Sequence, residues 1–310
     1  MSKRAQAVLA MVLTIALWGA TFVVVKDALG YASVFVFMAI RFGLAAVVMG
    51  AMYRSAIGGM SRPELRAGIE IGLFLFAGYA LQNTGLLYTT ASKSAFITGS
   101  AVVLVPVLMF LLWRQHVHPG AWFGAIGALL GLFCITVPPD TGLTGFTQLN
   151  HGDTLTMAGA AMFALHIIFI GRYSGKHSVG ALSFVQVAAT AILSVAAIPV
   201  FHYAAWEGVR LNWNWRLALA LLVTGVFGTA IAFSVQVWSQ RYLTPSYTGV
   251  LLTLEPVFAV TTSFLWLGER LSGRALLGSC LILAGILVAE LKGPAQAAVD
   301  SPGPVTTPEP

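Results

Sequence analysis

The chain has 310 residues, 58% of them hydrophobic and only 9% charged, with a formal net charge of +6. About a quarter of the residues of an ordinary soluble domain are charged, so this composition excludes a water-soluble globular protein. The cations stand singly between apolar stretches, without the clustered basic and aromatic pattern of nucleic-acid binding, and no nucleic-acid partner is expected.

A helix crosses a hydrocarbon core of about 30 Å with about 20 largely apolar residues. Such stretches are predicted at 7–27, 31–53, 67–88, 94–113, 120–137, 153–172, 179–201, 217–240, 246–267 and 273–291. β-Barrel strands would alternate apolar and polar residues, whereas Ala45 to Met49 and Ala101 to Leu112 are apolar on every side. The expected fold is therefore an all-α membrane protein of ten transmembrane helices. Lys3 and Arg4 ahead of the first span imitate a signal peptide, but cleavage after Ala20 would set bulky Trp18 where a small residue is wanted, so a retained helix is expected. Residues 138–152 form a Gly-rich linker without cations, and 202–216, with Trp206, Trp213 and Trp215, reads as an interfacial segment. The proline-rich tail at 292–310 has no apolar period and is expected to be disordered. Cys134 and Cys280 fall inside spans five and ten and read as small packing residues; neither a disulfide nor a metal site is expected.

An offset of 154 residues aligns Gln82 with Gln236, Tyr88 with Tyr242, Ser92 with Ser246, Gly124 with Gly278 and Gly131 with Gly285. An offset of 145 places Arg41 over Gln186 and Thr21 over His166. Two five-helix repeats are expected, at 7–137 and 153–291. An odd number of spans per repeat makes the second copy start on the opposite side of the membrane. Inverted repeats recur in secondary transporters, which bind substrate near mid-membrane between the halves, although channels and scaffolds also contain repeats. With a cytoplasmic N-terminus, ten Lys and Arg residues of the connections fall on the cytoplasmic side and six on the other, so both termini are expected inside.

A charge at mid-helix costs about 2.5–3.5 kcal/mol on insertion scales, and two charges stand that deep, Arg41 in span two and Glu255 in span nine. One reading gives Glu255 a part in substrate binding or proton coupling and lets Arg41 hold a charge or a carbonyl. The other has both satisfied internally and fixing helix packing; either the two charges pair or Glu255 is protonated and neutral. Pro106 and Pro256, inside spans four and nine, free the carbonyls of Val102 and Leu252 and predict kinks; broken helices at matching positions point to a transporter's site. Polar and aromatic stripes recur at helical spacing: Thr248, Glu255 and Thr262; Ser94 and Thr98; Thr229, Phe233, Gln236 and Gln240; Tyr79, Gln82 and Leu86. They predict a central cavity, with hydrogen bonding between packed helices as the competing explanation. Trp18 and His166 lie at corresponding depth in the first helix of each repeat and either line the pathway or pack. Gly68 with Gly72, and Gly127 with Gly131, have the spacing of close helix contacts. No H-E-x-x-H or P-loop is present, and Ser100 lacks the flanking pattern of a nucleophile. An intramembrane enzyme using Ser100 with His166 is the competing alternative, and neither enzyme activity nor a cofactor is expected.

Several segments resemble the EamA-like branch of the drug/metabolite transporter superfamily: L-W-G-A-T-F at 17–22, A-I-R-F at 39–42, L-L-Y-T-T-A-S-K-S-A-F-I-T-G at 86–99, V-L-V-P-V-L at 103–108, Y-L-T-P-S-Y-T-G-V-L-L-T-L-E-P-V-F at 242–258 and L-G-E-R-L-S-G at 267–273. The resemblance implies ten helices in two EamA-type repeats, both termini in the cytoplasm, and a cavity bordered mainly by helices three, four, eight and nine. Span six departs from the pattern, with Phe163, Ala164, Leu165 and His166 where a tryptophan-containing segment is usual. The family exports amino acids and other small metabolites, and some branches exchange phosphorylated sugars. Phosphorylated cargo asks for several buried cations and only Arg41 lies deep, which favours a neutral or zwitterionic solute. The expectation is a secondary permease of a bacterial inner membrane, an exporter of amino acids or related compounds working by alternating access, with the proton as candidate coupling ion. Substrate would be bound by Trp18, Tyr79, Gln82, Ser94, Thr98, His166, Phe233, Gln236, Thr248 and Glu255, with Arg41, Pro106 and Pro256 structural or coupling. The alternative is a non-transporting membrane packing or receptor subunit.

Overall fold

The structure, a computed structural model, describes residues 1–89, 91–136, 149–204, 206–258, 261 and 273–292. Every named element among them is helical, and the β pairing is one isolated bridge between Ala32 and Leu211. In chain order the helices are α1 (Lys3–Ala28), α2 (Val34–Met52), the short α3 (Arg54–Gly58), α4 (Arg62–Leu86), α5 (Ala91–Gly99), α6 (Ala101–Trp113) and α7 (Pro119–Thr136). The second half holds α8 (His151–Ser174), α9 (Val179–Tyr203), α10 (Trp215–Leu222), a π-helix (Val223–Ile231), α11 (Ala232–Ser239), α12 (Pro245–Leu252) and α13 (Gly273–Lys292). Five stretches are long and apolar enough to cross a membrane: Val34–Met52, Phe96–Trp113, His151–Ser174, Val179–Tyr203 and Trp215–Ser239. Pro119–Ile135 and Gly273–Ala289 are shorter apolar helices. Thr262, Arg270, most of the linker and the tail beyond residue 292 lie outside the described residues.

Local chemistry fixes where these helices start. Ser61 and Glu64 form a reciprocal capping box at the head of α4, with Pro63 in the first turn, and Asn150 with Asp153 does the same for α8. Each box satisfies two backbone N–H groups that a helix start leaves without partners. Outward-facing Val47, Phe123 and Ile192 keep most of their surface exposed, as a lipid-facing surface requires.

Spans four and nine are both interrupted, but not at their prolines. The first break falls at Ser100, six residues ahead of Pro106, which α6 carries in its interior; the second falls at Thr253, ahead of Pro256, and residues 254–258 are helical again. At each break a hydroxyl bonds back to the carbonyl three residues earlier: Ser100 Oγ to Ile97 O at 2.6 Å and Thr253 Oγ1 to Val250 O at 2.7 Å. Both backbone N–H groups reach those same carbonyls at 3.2 Å. A tightened 3₁₀-type turn, closed by a side-chain hydroxyl, ends each half-helix. The two breaks lie within one residue of the 154-residue register, so they are the same feature in each repeat.

The repeats also show in how α7 meets α13. A Cβ on Gly124 would lie 2.6 Å from the Gly285 carbonyl oxygen, and one on Gly131 would lie 2.5 Å from that of Gly278. The 154-residue register maps each of these pairs onto the other. Residue numbers rise along one helix as they fall along its partner, the antiparallel relation that an inverted repeat demands. Gly127 is looser, its Cβ position 3.7 Å from Gly285 Cα, so Gly124 with Gly131 carries the close contact that Gly127 with Gly131 was expected to make. Gly68 and Gly72 admit α9 against α4, their Cβ positions falling 2.5 Å from Val185 Cβ and 2.8 Å from Ala189 Cβ.

The connection after α9 keeps Trp206 and Trp213 exposed, and Trp215 at the head of α10 is exposed as well. Its two charges bind the ends of the first two helices. The Glu207 carboxylate accepts the N–H groups of Val34 and Phe35 at 2.6 and 3.3 Å, and Arg210 Nη2 donates to the Leu29 carbonyl at 2.7 Å. An anion at a helix start and a cation at a helix end both complement the helix dipole.

Candidate functional site

At the centre of the bundle a set of aromatic rings closes around Arg41. Tyr79 of α4 contacts Phe42 at 5.2 Å, Phe163 at 5.2 Å and Phe233 at 6.4 Å between centroids, and Phe233 also meets Trp18 at 5.5 Å and His166 at 5.7 Å. Five helices of the two halves, α1, α2, α4, α8 and α11, thus share one aromatic wall. Gly78 makes room for it: a Cβ there would fall 2.7 Å from a Phe163 ring carbon.

Arg41 is 3% exposed and enters this wall from α2. Its Nε donates to Thr229 Oγ1 at 2.9 Å, its Nη2 reaches the Tyr79 hydroxyl at 3.5 Å, and its Cζ lies 5.0 Å from the Tyr79 centroid and 5.5 Å from that of Phe42. Pairing with Glu255, one of the two arrangements expected for these charges, is not what Arg41 does; its hydrogen bonds go to a hydroxyl from each repeat.

The π-helix supplies that acceptor. Its wider turn lets Thr229 Oγ1 donate to Thr224 O five residues earlier, at 2.8 Å, while Trp18 Nε1 donates to Gly228 O at 2.8 Å. Neighbouring residues of one irregular turn therefore hold both Arg41 and Trp18. π-Helical turns inside longer helices are frequent at functional sites.

The remaining expected residues divide into three groups. Gln82 Nε2 donates to Thr98 Oγ1 at 2.9 Å, tying α4 to α5, and His166 Nε2 lies 2.9 Å from Gln186 Oε1. Gln236 Oε1, Thr248 Oγ1, Ser94 Oγ and Gln186 Nε2 are buried without a protein partner among the described residues. Ser94 and Thr248 are mates in the 154-residue register, one turn into each interrupted span. Glu255 is half-buried. The polar core so extends beyond helices three, four, eight and nine to Trp18, Arg41, Phe163, His166 and Gln186 of spans one, two, six and seven. Phe163, Phe42 and Gln186 had no assigned part in the site. Phe163 sits where the usual tryptophan is missing, which was the available signal for it.

A family model of the EamA-like transporter family matches residues 5–137 and 150–291. The chain belongs to the EamA-like transporter family. Among relatives of this EamA-like chain, an uncharacterized transporter of Archaeoglobus fulgidus is 32% identical over 290 residues, covering 94% of this chain and 87% of the relative. The threonine/homoserine exporter RhtA of Salmonella typhimurium is 24% identical over 214 residues, 68% of each chain. A solved crystal structure superposes with a TM-score of 0.75 at 19% identity, covering 93% of this chain and 97% of that one, and shares its fold. This EamA-like protein is thus a transporter with two repeats, spanning a lipid bilayer and moving a small molecule.

Proposed function

We propose that the protein is a secondary permease for a small neutral or zwitterionic metabolite, an exporter of amino acids or related compounds. The repeats at 7–137 and 153–291 rock about the central cluster by alternating access. Trp18, Tyr79, His166 and Phe233 form the wall against which solute stacks, and Gln82, Ser94, Thr98, Gln236, Thr248 and Glu255 offer polar contacts along the path. Arg41 anchors charge, and the half-helices that contain Pro106 and Pro256 hinge at Ser100 and Thr253. Both termini face the cytoplasm of a bacterial inner membrane, and Glu255 and His166 are the candidate carriers for coupling to protons.

The observation that carries this reading is that, among the described residues, several buried polar atoms of these helices have no protein partner, Gln236 Oε1, Thr248 Oγ1, Ser94 Oγ and Gln186 Nε2 among them. Stripes that serve only to join helices bond to one another, because a buried unsatisfied polar group costs about 1–3 kcal/mol. Polar atoms that wait for a passing solute do not. The named activity of the Salmonella relative, threonine and homoserine export, supports the solute class.

The test is flux. Purified protein in proteoliposomes, given an imposed solute or proton gradient and offered the metabolites that differ between cells with and without the protein, is expected to move at least one of them. Absence of flux for every metabolite tried, beside a working control transporter, overturns the reading.

A further inference from the structure

We propose that a cavity at the end of the bundle that carries the N-terminus holds the phosphate group of an anionic phospholipid, bound by Arg4, His116 and His118. None of its lining residues belongs to the aromatic wall, and the site stands independently of the permease reading.

The cavity measures about 100 Å³ and opens where α1 begins, α6 gives way to α7, α12 begins and α13 nears its end. A single water needs about 10–15 Å³ of such space, so a group of several heavy atoms fits. All four are helix ends, which sets the cavity at the level of the membrane surface. Tyr242 in its lining and Trp113 at the end of α6 are aromatic rings of the kind that sit among headgroups.

One guanidinium and two imidazoles meet there with the hydroxyl-bearing Tyr242, Thr244 and Ser246, and among the described residues no carboxylate lines the cavity. Such a set donates hydrogen bonds to an anion and offers a cation no countercharge. The Arg4 Cζ lies 5.8 Å from the Tyr247 centroid, and Arg4 has further protein contacts; its five N–H donors serve a phosphate alongside them. The His118 ring is oriented by its neighbour. Gly120 N donates to His118 Nδ1 at 3.1 Å, so Nε2 carries the proton of the neutral ring and is the donor left for a ligand. Ser246 is buried, and its hydroxyl donates to Met109 Sδ at 3.6 Å, a weak acceptor that a phosphate oxygen would replace.

The connection that bears both histidines is turned sharply. Arg114 has φ 54°, the left-handed region that glycine favours, and is the one non-glycine residue so placed among the described residues. Its N–H reaches Phe110 O at 2.9 Å, a left-handed cap that closes α6 and leads the chain back to the cavity wall. Phe110, Leu111 and Leu112 before this connection and Phe123 after it are exposed apolar residues. Acyl chains of a lipid seated in the cavity would run along them, which favours a membrane lipid over free phosphate. Basic pockets between helices at the membrane surface hold phosphorylated headgroups in this way.

The experiment measures the unfolding midpoint of the purified full chain in detergent with added phosphatidylglycerol, with phosphatidylcholine and with inorganic phosphate at matched ionic strength, and counts bound lipid by native mass spectrometry. Phosphatidylglycerol is expected to raise the midpoint by several degrees, and the other two to raise it far less. Arg4→Gln, and separately the double variant His116→Gln with His118→Gln, should each weaken phosphatidylglycerol binding roughly tenfold, the usual weight of a charge-assisted hydrogen bond, and carry one bound lipid fewer. Arg62→Gln, which removes an exposed cation at the head of α4 outside the cavity, should leave binding unchanged. If Arg4→Gln does not fold, the histidine variant, a change of two exposed side chains, carries the test.

Equal stabilisation by phosphatidylcholine, a shift reproduced by inorganic phosphate alone, or phosphatidylglycerol binding as tight in the histidine variant as in the unaltered chain overturns the inference.

Discussion

A buried guanidinium keeps its geometry only if something holds it, and the shorter of Arg41's two side-chain hydrogen bonds goes to a hydroxyl on an irregular turn of the other repeat. Thr229→Val retains the shape and removes the acceptor. A lost hydrogen bond to a charged group weighs about 1.5–3 kcal/mol, so a fall of several degrees in the thermal unfolding midpoint is expected, together with a raised half-saturation for flux. An unchanged midpoint would show that Arg41 needs no such support. Trp18→Phe tests the companion bond: the ring stack on Phe233 persists, the donor to Gly228 O is lost, and a loss of about 1 kcal/mol is expected, read as a lowered unfolding midpoint. Arg41 was legible in the sequence because a charge inside an apolar run has to be explained. Its partner was not, because Thr229 reaches it only through a π-helix, and T-G-V-F-G-T at 224–229 carries no pattern that separates a π-turn from an α-turn.

At the level of helices, glycine decides how closely they approach. In Gly131→Ala the new methyl would stand 2.5 Å from the backbone oxygen of Gly278, which cannot swing aside, whereas in Gly127→Ala it would meet its nearest atom at an ordinary 3.7 Å. Overpacking costs about 1–3 kcal/mol. Gly131→Ala is therefore expected to lower the unfolding midpoint clearly and Gly127→Ala to leave it nearly unchanged, a contrast measurable on the two purified variants side by side. The sequence marked Gly127 and Gly131 by spacing and aligned Gly124 with Gly278 and Gly131 with Gly285 as repeat equivalents, but the pairs in contact are Gly124 with Gly285 and Gly131 with Gly278. Which glycine of the G-x-x-x-G pair faces the partner depends on the rotation of α7 about its axis, and spacing alone does not set that rotation. The interruptions tell a similar story. Proline pointed to spans four and nine, yet the breaks lie at Ser100 and Thr253, whose hydroxyls close the preceding turn. Ser100→Ala and Thr253→Ala should each cost about 1 kcal/mol. If the breaks are equivalent hinges, each variant should also slow flux, which transport rates of the paired variants will show.

Across the whole molecule, the all-helical membrane class followed from length and hydropathy, quantities that a bilayer constrains more tightly than water does, and five stretches among the described residues are long and apolar enough to span it. The centre of the bundle was only partly legible, because a ring of side chains drawn from six spans is a property of how helices rotate and pack. The central claim is that one site between the halves opens to each side of the membrane in turn. The direct measurement places a cysteine at Thr98, in a background with Cys134 and Cys280 replaced by alanine, and reacts reconstituted protein with a membrane-impermeant maleimide from either side. The account predicts labelling from both sides, slowed by the transported solute in each case. Labelling from one side only, indifferent to solute, would contradict it.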